Sequence, residues 1–129
     1  MDKLIPWLAV GCGGFVGATL RYALSGWMIR LFPMGTLAAN LLGCLLIGFL
    51  SALSLKSGWP TPHWRAFLIA GMLGSLTTFS TFAYQTIELA KLENPGLASL
   101  NLLLNLVLGV VLVWIGVVFG EQAALRLSN

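Results

Sequence analysis

The sequence predicts an all-α membrane protein built from four spanning helices. Three observations lead there. Hydrophobic residues make up 58% of the 129-residue chain and charged residues only 9%, where a soluble domain carries about 25% charged residues. Mean hydropathy is +0.92. Four apolar segments, at about 4–30, 35–55, 66–91 and 96–123, each reach the roughly 20 residues that a helix needs to cross a bilayer core. A chain of this length makes one domain, residues 1–129. Its connections are too short to fold separately, so any function resides within the membrane.

The first segment is too long and too rich in glycine for a signal peptide, and no small-residue cleavage site follows a short apolar stretch, so it reads as a retained helix. Within it, GCGGFVGATLRY (11–22) holds two small-xxx-small pairs, Gly13 with Gly17 and Gly14 with Ala18. Such pairs let helix backbones approach closely in lipid. No Lys-Ser/Thr pair follows, which argues against a phosphate loop. Arg21 lies roughly 20 Å along the axis from Trp7. It either snorkels to the headgroups or draws anions to a pore mouth. Phe32-Pro33 closes this helix and starts a turn.

The second helix opens GTLAANLLGCLLIG (35–48). Thr36, Asn40 and Gly43 share a face at helical spacing. The Asn40 amide needs a partner, because an unpaired polar group in hydrocarbon is costly. Helix-to-helix bonding and pore lining both satisfy it. Cys12 and Cys44 fall inside apolar helices without metal-ligand spacing and read as small buried hydrophobes. KSGWPTPHW (56–64) is a loop marked by two prolines and a glycine.

The third helix carries the most unusual stretch, GSLTTFSTF (74–82), with five hydroxyls in nine residues. For a helix over 66–91 this stretch lies at the bilayer midplane. Clustered Ser and Thr compete for the backbone, and Gly74 loosens it further, so a break in helix three is expected. Non-helical backbone at that depth is tolerated only inside protein or along a cavity. Its freed carbonyls suit a cation and its freed N–H groups an anion. Phe79 and Phe82 share one face. Ring edges are positive and suit an anion, although ordinary core packing is the commoner use of such a pair.

ENPG (93–96) turns the chain into the fourth helix, where NLLLNLVLG (101–109) sets Asn101, Asn105 and Gly109 in one stripe. Two amides on one face of an apolar helix either cross-link helices or line a polar track. Four helices place Lys3, Lys56, Arg65 and Arg126 on one side of the membrane, and Arg30 and Lys91, with Arg21 if it reaches that interface, on the other. By the positive-inside rule this is a poor bias. It leaves open a modest preference for one orientation or insertion in both. Insertion in both would let two copies pair about a two-fold axis in the membrane plane, where the broken stretch meets its own copy. A net charge of +3, scattered along the chain, gives no reason to expect nucleic acid.

GGFVGATLRY (13–22), GTLAANLLG (35–43) and GSLTTFSTF (74–82), in this order and on these helices, resemble the Fluc fluoride channels, also called the CrcB family. The resemblance covers nearly the whole chain. It implies a non-enzymatic, multi-pass protein of the bacterial inner membrane that assembles as an antiparallel, dual-topology homodimer. Such a dimer carries two pores and exports fluoride passively, after HF has entered the cell and dissociated. It implies that Phe79 and Phe82 line the fluoride path with their edges, that Asn40 and Arg21 match the family's asparagine and arginine, and that the carbonyls of Gly74 and Thr77 hold a structural sodium ion at the dimer centre. The chain departs from some relatives at the fourth helix, where Asn101 and Asn105 stand in for a track of tyrosine and serine, and at Gln85, where some have a carboxylate. A small multidrug transporter is the main alternative, but it requires a carboxylate within the first helix, and Asp2 is terminal. A structural subunit would explain the glycines but not a midplane break. An intramembrane protease lacks its motifs here, since the sole histidine, His63, is in a loop.

Overall fold

In the computed structural model, which describes residues 4–27, 29 and 31–127, the chain is all-α. Four of its helices are long and apolar enough to cross a membrane. Lys3 and Arg30, which enter the charge balance above, lie outside the described residues, as does Asp2.

The first helix, Ile5–Ser25, has a proline in its first turn, where the missing N–H costs nothing. It stops at Gly26, short of the expected end at 30. Of the apolar residues beyond it, Ile29, Leu31 and Phe32 form a turn instead. Ile29 and Phe32 exchange backbone hydrogen bonds of 3.1 and 2.8 Å, and the Gly35 N–H donates to the Trp27 carbonyl at 2.9 Å. Pro33 biases the residue before it away from the helical region. The absence of a side chain on Gly35 lets the next helix start against the Leu24 carbonyl. The second helix, Met34–Ser57, ends at Gly58 with φ 73°, the left-handed cap that glycine accommodates.

The third span, Pro62–Lys91, begins a turn before the expected 66, with Pro62 as its opening residue. Its turns widen over Ala66–Leu73 and tighten over Gly74–Leu76. Thr77 (φ −77°, ψ 151°) and Thr78 (φ −151°, ψ 111°) are extended, and the helix continues as Phe79–Lys91. The fourth span, Pro95–Leu127, is capped by Asn94, whose side chain accepts from the Leu97 N–H at 3.3 Å. It widens over Leu104–Leu108. At 33 residues it is about 50 Å long against a core of about 30 Å. It therefore outruns both the hydrocarbon and the expected end at 123.

The first helix packs on the first half of the third span, the second helix on the last half of the fourth, and the later half of the third span on the start of the fourth. Small residues make the first two seams. A Cβ on Gly17 would strike the Met72 carbonyl, and one on Gly48 the Val113 carbonyl, the close backbone approach that holds helices together in lipid. Gly13 shares the first seam, whereas Ala18 faces outward. Cys12 also faces outward. The reading of it as buried is therefore corrected: it sits beside Gly13 and points off the seam. Trp7, Phe15, Val110 and Trp114 are exposed, a surface suited to hydrocarbon.

Candidate functional site

The extended pair Thr77 and Thr78 leaves backbone groups without their helical partners, and side chains take them over. The Thr78 N–H donates to Asn40 Oδ1 at 2.8 Å, and Asn40 Nδ2 donates to the Thr78 carbonyl at 3.3 Å. One amide from the second helix thus clamps one peptide group of the third span. Thr78 Oγ1 then caps the helix that follows, accepting from the Thr81 N–H at 3.3 Å. These two captured donors, Thr78 N–H and Thr81 N–H, are the ones that a continuous helix would give to the carbonyls of Gly74 and Thr77. The Thr77 hydroxyl turns back to the Leu73 carbonyl at 3.1 Å.

From Asn40 a chain of amides runs along the fourth span. Asn40 Nδ2 donates to Asn105 Oδ1 at 2.8 Å. Asn105 Nδ2 donates to the Asn101 carbonyl and to Asn101 Oδ1, at 3.0 and 3.1 Å. Asn101 Nδ2 donates to Thr86 Oγ1 at 2.8 Å, and Thr86 donates to the Phe82 carbonyl at 2.8 Å. Backbone groups at both ends set the direction of the chain. The Thr78 N–H requires an oxygen from Asn40, and the Asn101 carbonyl requires an N–H from Asn105. Both N–H bonds of Asn40 and both of Asn105 are thereby committed to protein acceptors.

Beside this chain lies a cavity of about 310 Å³ lined by Asn40, Cys44, Gly74, Thr77, Thr78, Phe79, Phe82 and Asn105, among others, with no Lys, Arg or His among the described residues of its wall. Gly43 leaves room for the Thr77 methyl. Phe79 and Phe82 meet edge to face, with centroids 5.5 Å apart and planes at 68°. Phe82 is 5% exposed and Phe79 is 73% exposed, so one ring forms the floor of the groove and the other its open lip.

Of the residues singled out by sequence, Asn40, Asn105, Phe79, Phe82, Gly74 and Thr77 come together at this groove. Asn101 does not line it. At 1% exposed it is sealed between the third and fourth spans and orients Asn105. Arg21, half-buried on the first helix, is also absent from the wall. Gln85 lies outside it too, with Oε1 buried and lacking a partner. Two participants escape sequence reasoning. Thr78 lies within the quoted stretch, and its T-x-x-T spacing to Thr81 is a cap signal that goes unused. Thr86 is a lone hydroxyl one turn after Phe82, and only its pairing with Asn101 reveals it.

A family model described as CrcB-like protein, Camphor Resistance (CrcB), matches residues 8–117. The fluoride-specific ion channel FluC of Sulfurovum sp. (strain NBC37-1) is 49% identical over 119 residues, covering 89% of this chain and 93% of the relative. That of Clostridium perfringens (strain 13 / Type A) is 45% identical over 120 residues, covering 90% and 94%. That of Clostridium novyi (strain NT) is 43% identical over 125 residues, covering 94% and 98%. With four spanning helices and matches of this extent, the chain is a multi-pass membrane protein that belongs to the CrcB family.

Proposed function

We propose that the chain is a fluoride-selective channel of the bacterial inner membrane, giving passive export of fluoride and protection from its toxicity. The observation that carries this reading is the groove beside the Asn40–Thr78 clamp. It offers amide donors, hydroxyls and the edges of Phe79 and Phe82, and no full positive charge among the described residues of its wall. Conduction needs binding favourable enough to admit an ion and weak enough to release it, which neutral donors and ring edges provide. The relatives' names point to the same ion. A passing fluoride ion replaces Asn105 Oδ1 as the acceptor for Asn40 Nδ2, so the amide exchanges one acceptor for another and no donor is left bare.

The working form is an antiparallel, dual-topology homodimer. Gly74, Phe79 and Ser80 are exposed near the middle of the third span, and polar backbone at that depth requires protein over it. A two-fold axis in the membrane plane covers this face with its own copy and treats helix three as a broken helix whose interruption sits on the axis.

A sodium ion at that centre fits the donor set. The carbonyls of Gly74 and Thr77 are the two whose helical donors are taken by Asn40 and Thr78. Two copies supply four neutral oxygens, ligands that a hard cation accepts. The bound ion would supply an electrostatic tie between the copies. Replacing sodium with a bulky organic cation throughout purification is expected to remove most of the flux or to dissociate the dimer, as read by efflux and size-exclusion chromatography. Unchanged flux and assembly without sodium would count against these ligands.

Fluoride efflux from sodium-loaded liposomes, followed with a fluoride electrode, tests the function itself. Efflux no faster than from empty vesicles refutes it. In the same assay, Phe79→Ile or Phe82→Ile keeps the bulk and removes the ring edge. Each is expected to lower flux about fivefold, from the loss of an aromatic contact worth about 1 kcal/mol, while the dimer persists. Normal flux in both variants would remove the ring edges from the pathway.

A further inference from the structure

A second cavity, of about 550 Å³, lies between the second helix and the end of the fourth span. Leu45, Leu46, Phe49 and Phe119 line its depth, and Gln122 and Arg126 stand at one end. Phe49 is about 180° around the second helix from Asn40 at 100° per residue. The cavity therefore opens on the face away from the ion groove and from the copy proposed to cover it, and hydrocarbon is what it meets. Its length suits one leaflet. From Gly116 to Arg126 the helix rises about 15 Å, half of a bilayer core of about 30 Å. Its charge suits one kind of occupant. Glu121, the carboxylate nearest Arg126 in the chain, pairs with Lys56 at 3.8 Å, and no ion pair engages Arg126 among the described residues.

We infer that this groove holds one acyl chain of an anionic phospholipid, with its phosphate on the Arg126 guanidinium and the Gln122 amide. A planar guanidinium matches phosphate oxygens in a paired geometry, and the apolar walls replace the lipid contacts that the chain gives up. The inference rests on the membrane reading and not on fluoride transport, so its test reads lipid and not flux.

The purified full chain is incubated with phosphatidylglycerol or phosphatidylcholine, and bound lipid is counted by native mass spectrometry. The parent is expected to retain phosphatidylglycerol in preference. Arg126→Gln is expected to lower that retention about fivefold, the factor that one basic residue contributes near an anionic surface. Ala123→Leu, which thickens the groove wall and leaves Arg126 in place, is expected to lower it too. Lys91→Gln, a basic residue outside this groove, is expected to leave it unchanged. Three results overturn the inference: equal retention by Arg126→Gln and the parent, an equal fall in Lys91→Gln, or indifference to Ala123→Leu. A groove filled by a second copy would retain no added lipid, which also overturns it.

Discussion

Asn40→Asp is expected to cut fluoride flux by roughly a hundredfold, since a buried hydrogen bond to a charged group is worth up to about 3 kcal/mol and each 1.4 kcal/mol is a factor of ten. The substitution keeps the shape of the side chain and the oxygen that accepts from the Thr78 N–H. It removes both donors, the one to the Thr78 carbonyl and the one to Asn105 Oδ1. An ionised carboxylate offers no hydrogen to an anion and repels it across a groove without a cation among the described residues of its wall. The measurement is initial efflux from liposomes at matched protein density, with the dimer checked by size-exclusion chromatography. Parental flux in an assembled Asn40→Asp dimer would reassign Asn40 to packing alone. Asn105→Asp is the informative companion. Its loss of Nδ2 frees the Asn101 acceptors rather than the Thr78 clamp, so its effect should be the smaller of the two.

That contrast shows what sequence alone could resolve. Asn40, Asn101 and Asn105 are legible as intramembrane amides, because any polar side chain in so apolar a run must find a partner. Their division of labour is not legible. Asn101 and Asn105 lie one turn apart and read as one stripe, yet Asn101 is sealed on Thr86 while Asn105 reaches Asn40 and the groove. The split depends on how the fourth span docks against two different neighbours, and on turns that widen around Asn105. Helix ends show the same boundary. Hydropathy finds four spans because length and apolarity decide them. It runs the first helix on to 30 because it cannot tell an apolar helix from the apolar turn that Ile29 and Phe32 close. Pro62 was a readable start, given the preference of proline for the first helical turn, and hydropathy passes over it.

The hydroxyl run illustrates a different link between sequence and site. Its residues do not simply add polarity at depth. Thr78 accepts from the Thr81 N–H while its own peptide group is held by Asn40. Each bond captures a backbone donor and so releases a carbonyl one helical turn earlier. Local chemistry in the third span and a single amide in the second helix thereby act on the same two carbonyls, those of Gly74 and Thr77. A Thr78→Val chain would lose the cap, and an Asn40 variant would lose the clamp. The two positions are therefore coupled through the backbone rather than through a shared contact with the ion.

Chains forced into a single orientation are expected to lose flux altogether. The proposed antiparallel dimer needs copies of both orientations in one membrane. The described cations are few and divided: Lys56, Arg65 and Arg126 toward one side, Lys91, with Arg21 if it reaches that interface, toward the other. Orientation follows such differences in short flanking segments, so a small change in charge should be enough to set it. Several lysines added near residue 3 should hold the N-terminus in the cytoplasm. A C-terminal tag, expected to be accessible from both faces in the parent, should then be accessible from one. These chains have every residue of the groove and still lack a covering copy for Gly74, Phe79 and Ser80. Their flux should fall to the level of empty vesicles and return when they are co-expressed with a chain biased the opposite way. Full flux from the single-orientation chain alone would rule out the antiparallel dimer. The proposal that the Thr77–Thr78 segment meets its own copy at the midplane would then fail with it. The groove itself would survive that result, because the Asn40 clamp and the Phe79–Phe82 pair are made within one chain.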